Sequence, residues 1–162
     1  MTNAPTLIET CQDLLQIKTV LSVIREREEE EGFRIPVMVS VTVEENGALL
    51  VGSSIEAVIA ALEPYPLYSL GLNCATGPDK MESALKTLQR ESPFKISCMP
   101  NQGLPQIENG KAHYPLTPES FAQQMERLTE RYGLSVVGGC CGTRPEHIAA
   151  LTAILRQRGL LP

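Results

Sequence analysis

Along the chain, short apolar or β-branched runs alternate with segments whose apolar residues recur every three to four positions, the pattern of buried strands followed by amphipathic helices. Leu7-Ile8-Glu9-Thr10 reads as a first strand. Leu14, Ile17, Leu21 and Ile24 then recur at helical spacing, with Glu28 to Glu31 as a solvated helix end and Gly32 as its stop. Ile35 to Thr42 is the second strand, and a long turn with Asn46-Gly47 and Gly52 leads to Ser53-Ser54-Ile55-Glu56, a Ser-x-x-Glu capping box that opens the next helix. Tyr68 to Asn73 is the third strand, with a helix from Thr76-Gly77-Pro78-Asp79 to about Glu91, and Phe94 to Met99 is the fourth. A loop from Pro100 to Leu116 ends at Thr117-Pro118-Glu119, a good N-cap with proline at the first helical position. Leu134 to Val137 is the fifth strand, and Thr143-Arg144-Pro145-Glu146 again has the form of a capping box.

Strands alternating with helices predict an α/β fold with parallel strands joined by right-handed crossovers, here as five βα units in one domain over residues 1–162. Neither a linker nor a sequence repeat interrupts the pattern. With 43% apolar and 20% charged residues the chain has the composition of a globular protein with a real core. A net charge of −5 and the lack of a Lys/Arg cluster exclude a nucleic-acid surface. No apolar run approaches the roughly 18 residues that span a bilayer, and Met1 to Pro5 has no signal core, so a cytoplasmic protein with no membrane partner is expected.

Five cysteines then change the picture. Cys140 and Cys141 sit in the glycine turn Gly138 to Gly142 directly after the fifth strand, and Cys74 ends the third strand in Gly71-Leu72-Asn73-Cys74. In a reducing compartment such thiols are ligands or plain core residues, and an adjacent pair makes a strained disulfide. All the unusual residues fall at carboxyl ends of strands: Glu9, Thr42, Asn73 with Cys74, Asn101, and Cys140 with Cys141. In a (βα)8 barrel that rim carries the active site. Zinc favours thiolate sulfur, and three protein ligands with an open fourth position is the layout of a catalytic site. Three thiolates on Zn²⁺ leave a net charge of −1, a poor activator of water but a good binder of a substrate thiol. Spacing alone balances such a site evenly against three cysteines packed as small hydrophobes. Thiol–disulfide exchange through the vicinal pair is weaker than either, because redox pairs use Cys-x-x-Cys spacing.

Three ordered motifs, Gly-Leu-Asn-Cys-Ala-Thr-Gly-Pro at 71–78, Pro-Asn-Gln-Gly-Leu-Pro at 100–105 and Gly-Gly-Cys-Cys-Gly-Thr-Arg-Pro-Glu-His-Ile at 138–148, resemble the homocysteine S-methyltransferase family. Within it the likeness is greatest to the homocysteine-binding domain of its cobalamin-dependent branch, the methionine synthases. The resemblance implies a (βα)8 TIM barrel of which this chain carries strands four to eight. It implies Zn²⁺ on Cys74, Cys140 and Cys141, with the homocysteine sulfur as fourth ligand, and methyl transfer to that sulfur to give methionine. It implies a substrate-binding set of Glu9, holding the amino group, with Asn73 and Asn101 bracing their loops. Methylcobalamin would be the methyl donor, carried on a separate module, alongside folate modules. Gln102 stands where the family usually has alanine and Cys11 where an aromatic is common; the first narrows the pocket and the second belongs to the core. Cys98 packs in the interior, His147 serves a structural or capping role, and His113 carries no signal.

The same resemblance leaves out barrel strands one to three and the Asp-Gly-rich loop after the first strand. Five strands of eight imply open edges at the Leu7 and Leu134 strands and an apolar interior left uncovered. The expected partners are therefore homocysteine together with a missing N-terminal barrel half, or a second copy through self-association. The alternative to an active methyltransferase is a non-catalytic zinc-binding half-barrel that needs that N-terminal partner.

Overall fold

The structure, a computed structural model, describes residues 4–108 and 110–161. Its first βα unit shows how the pattern becomes architecture. Strand β1 (Thr6–Cys11) leads into helix α1 (Leu14–Glu31) through Asp13, whose carboxylate accepts the Leu15 N–H at 2.9 Å. The helix buries Ile17 and Leu21 and stops at Gly32, whose φ of +71° lets its N–H return to the Glu28 carbonyl. The acidic run at its end is not uniformly solvated. Glu28 is buried, accepting from Arg34 Nη1 at 3.0 Å and from the Ile35 N–H at 2.6 Å, so it fixes the turn into the next strand while Glu29 to Glu31 stay in water.

The units that follow are β2 (Val37–Val41) with α2 (Ile55–Leu62), β3 (Leu67–Asn73) with α3 (Glu82–Glu91), β4 (Lys95–Met99), and β7 (Leu134–Val137) with α5 (Pro145–Gln157). Helix α4 (Pro118–Tyr132) connects β4 to β7. One parallel sheet of five strands runs β1-β2-β3-β4-β7, so β1 and β7 are its edges and the sheet is not closed. Consecutive helices pack on one another in chain order, which puts all five on one side of the sheet, as right-handed crossovers require. That arrangement is the five-unit part of a barrel.

Register separates the two faces. Ile8, Val39, Leu70, Leu72, Ile96, Cys98 and Leu134 face the helices and form the core with Leu85, Phe121, Met125 and Leu155. The inner face differs from the apolar interior expected. Its layers read Leu7, Met38, Ser69 and Lys95, then Ser40, Gly71, Ser97 and Val136, then Asn73 with Met99. The concave side of a curved sheet has less room per residue: a Cβ on Gly71 would come within 2.0 Å of the Ser97 carbonyl oxygen. Small side chains are therefore selected there, and Ser40, Ser69 and Ser97 are fully buried.

Three local details depart from the sequence reading. Helix α2 is capped by Ser54, accepting the Ala57 N–H at 3.3 Å, one residue later than the Ser53 box. The segment after Gly77 begins as a 3-10 turn (Pro78–Lys80) before α3. The loop after β4 contains a small antiparallel hairpin, β5 (Gln106–Glu108) with β6 (Lys111–His113), for which the Asn-Gly pair at 109–110 is the sequence signal. No helix among the described residues is long and apolar enough to cross a membrane.

Candidate metal centre

The turn after β3 is built against local preference. Cys74 and Ala75 have φ of +65° and +58°, the left-handed region that costs a residue with a Cβ roughly 1–2 kcal/mol. Neighbouring loops hold it there. Cys74 N–H donates to the Met99 carbonyl at 3.1 Å, Thr76 N–H to the Cys74 carbonyl at 2.7 Å, and Asn101 N–H to the Thr76 carbonyl at 3.0 Å. The turn after β7 is fixed by the same loop: Cys140 N–H donates to the Pro100 carbonyl (2.7 Å), Cys141 N–H to Asn101 Oδ1 (3.0 Å), and Gln102 N–H to the Cys141 carbonyl (2.9 Å). Gly142, at φ +78°, lets Tyr114 lie directly on the backbone, since a Cβ there would sit 2.4 Å from the ring.

These turns bring three sulfurs together. The Sγ atoms of Cys74, Cys140 and Cys141 lie within 4.8 Å of one another, and Cys74 and Cys141 are 3.8 Å apart. A tetrahedron with metal–sulfur bonds of about 2.3 Å has sulfur–sulfur edges of about 3.8 Å, so the donor set fits zinc without a change of fold. Its chemistry fits as well. The Cys140 thiol is pushed up to about 11, first by burial and then by charge on Cys74 and Cys141, with the Asn73 amide pulling it back in part. A bound cation is what would deprotonate such thiols as ligands. Cys74 and Cys140 are half-buried and Cys141 is exposed, so the cluster is reachable from the rim.

Asn73 is buried and its amide is fully used. Nδ2 donates to Thr10 Oγ1 at 2.7 Å and to Cys140 Sγ at 3.8 Å, while Oδ1 accepts from the Thr10 N–H at 3.0 Å and from Ser40 Oγ at 2.8 Å. Thr42 Oγ1 donates to the Asn73 carbonyl at 3.1 Å. Asn101 is likewise buried, on Cys141. Glu9 stands at the carboxyl end of β1, exposed, with no carboxylate partner among the described residues.

Two residues that shape the site were less legible. Tyr114 carried no signal of its own, yet it sits against Cys141, and desolvation first, then the three cysteines, raises its pKa. His147 does cap α5, but with Arg144 as N-cap instead of Thr143: its Nδ1 accepts the Arg144 N–H at 3.2 Å. Its Nε2 lies 3.3 Å from the Leu116 carbonyl, which also accepts from Gln102 Nε2, and its ring meets Phe121 edge-on. Gln102, Tyr114, Gly142 and His147 line a cleft of about 580 Å³ beside the cysteines.

The family profile described as homocysteine S-methyltransferase matches residues 5–155. The chain belongs to the homocysteine S-methyltransferase family. Among its relatives in that family, the methionine synthase of Mycobacterium leprae is 46% identical over 151 residues, 93% of this chain and 12% of that protein. The methionine synthase of Mycobacterium tuberculosis is 46% identical over 147 residues, again 12% of its length. The homocysteine methyltransferase MmuM from Escherichia coli shares the fold. Its apo form superposes with a TM-score of 0.71 at 24% identity, covering 92% of this chain and 49% of that one, and its metallated form gives 0.72 at 23% identity, covering 93% and 44%. The chain thus spans under half the length of these solved relatives and about an eighth of the curated ones.

Proposed function

We propose that this chain presents the sulfur of homocysteine to a methyl donor, with methionine as product. The observation that carries the reading is the convergence of three cysteine sulfurs at strand ends, within 4.8 Å of one another, in a chain of this family. Cys74, Cys140 and Cys141 would hold zinc, which lowers the pKa of a thiol in the remaining position and keeps it nucleophilic at neutral pH. The chain's residues do the rest. Backbone hydrogen bonds from three loops hold the sulfurs, the Asn73 amide orients Cys140, and Asn101 fixes Cys141. Glu9, exposed and unpaired among the described residues, takes the substrate ammonium. In the transfer a sulfur lone pair forms the new S–CH₃ bond, the donor keeps the electron pair of the bond that breaks, and the thiol proton has already gone to solvent. Methylcobalamin on a separate module is the donor that the three motifs point to, and the folate chemistry that recharges it belongs to further modules. Compartment follows chemistry: free thiols of this kind need a reducing cytoplasm.

Metal analysis tests this. The purified protein should carry about one zinc, lost in Cys74→Ala and in Cys140→Ala, and addition of homocysteine should raise the zinc–sulfur coordination seen by X-ray absorption from three to four. A full complement of zinc in either variant would sink the reading.

A second reading is supported by the sheet itself, in which β1 and β7 each pair on one side only among the described residues. In it the chain is a non-catalytic zinc-binding half-barrel, active only with a partner that supplies the other strands, or associated with a second copy. Methionine formation by the chain alone, with methylcobalamin supplied, would rule that reading out.

A further inference from the structure

Thr10 is a non-glycine residue at φ +59° on an exposed edge strand, a conformation that its own propensity opposes. It lies in a bulge. β1 pairs with β2 in register from Thr6 to Ile8, opposite Val37 to Val39, and resumes at Cys11 opposite Val41, so Glu9 and Thr10 together stand against Ser40 alone. Bulges of this kind re-aim side chains beside active sites. What holds this one is a single side chain from another strand: both ends of the Asn73 amide bond Thr10, through its N–H and its Oγ1. The same Nδ2 that bonds Thr10 Oγ1 also reaches Cys140 Sγ at 3.8 Å, and Ser40 Oγ, on the strand between, closes the network on Oδ1.

The geometry points to Asn73 as a positioning residue that couples the cysteine centre to the β1 bulge, so that a metal on Cys140 and the placement of Glu9 are set together. An N–H···S bond strengthens when the sulfur is a metal-bound thiolate, which pins the Asn73 amide and with it the left-handed Thr10. The consequence is specificity for a substrate carrying a thiol and an ammonium at a fixed separation, because the two ends of the site move as one unit. This rests on the proposed roles of the cysteines and Glu9, but its test reads metal affinity and backbone exchange, not turnover.

Hydrogen–deuterium exchange with and without saturating zinc should slow the Thr10 amide by about tenfold, while the Thr6 amide, bonded to Pro36 at the other end of the strand, is unchanged. In Thr10→Ala, which removes Oγ1 from an exposed position, zinc affinity measured against a chromophoric chelator should fall about three- to tenfold, and Thr10→Ser should restore it. Asn73→Ala, if it folds, should abolish the zinc effect on Thr10. The coupling is overturned if zinc binds and Thr10 exchange does not respond, or if Thr10→Ala holds zinc as tightly as the natural chain. A chain that takes up no zinc at all overturns the proposed function first and this inference with it, an outcome the same titration distinguishes.

Discussion

Cys98, inside β4, and Cys140, in the turn after the neighbouring strand β7, have different chemistry. Cys98 sits inside β4, in regular register between Leu72 and Val137, fully buried with its Sγ 3.6 Å from Met81 Sδ. Burial alone pushes its thiol up to about 12, and it is inert filling. Cys140 lies just beyond the end of β7, half-buried, with an amide N–H and two further sulfurs facing it. The difference is made by position along the strand. Within the ladder the backbone is saturated and side chains pack; at the carboxyl end it can take left-handed turns and point thiols at one another.

The largest test of that contrast is the metal itself. Cys141→Ser should lower bound zinc from about one per chain to near zero, while Cys98→Ala leaves it unchanged, both by elemental analysis; loss of zinc from Cys98→Ala would break the comparison. Asn101→Ala removes the acceptor of the Cys141 N–H without touching a sulfur, and zinc affinity should fall about tenfold. Gly142→Ala forces a left-handed alanine against the Tyr114 ring, so thermal stability should drop by roughly 1–2 kcal/mol, and the tyrosine should become more accessible to fluorescence quenchers.

The alkaline limb gives a smaller effect with a definite sign. The folded Cys98 pKa, about 12, lies above the ordinary 9.0, so the stability contributed by its neutral thiol is present below pH 9 and is lost as pH rises toward 12. Denaturant midpoints at pH 8 and 10.5 should differ less in Cys98→Ala than in the natural chain, because the variant lacks the thiol whose contribution fades; equal losses would show that the buried thiol does not matter. In the metal-free protein, a thiol reagent should modify the exposed Cys141 first and Cys98 only on unfolding.

The strands, most helix boundaries and the three motifs were legible because each depends on local rules: a period of two or 3.6, a proline after a threonine, a glycine after a run of acids. Where reading failed, a distant partner had entered. Glu28 looks like the start of a solvated acidic run, yet Arg34 and the Ile35 N–H draw it inside. The Ser53 and Thr143 boxes each shift by one residue, the second because His147 supplies the reciprocal bond. Tyr114 has no motif of its own; its place follows from Gly142, whose missing side chain makes room. The interior was expected to be apolar from barrel logic, but at the middle of the sheet the close approach of neighbouring strands selects Ser40, Ser69, Gly71 and Ser97.

By itself the sequence determined the order of βα units, the strand ends at which cysteines stand, and membership in the family. Only the tertiary structure decided that Cys74 and Cys141, 67 positions apart, meet at 3.8 Å, and that one asparagine joins Cys140 to a kink in the edge strand. The reason is that periodicity and turn chemistry act over a few residues, whereas convergence across a sheet depends on register between strands, which no local pattern encodes.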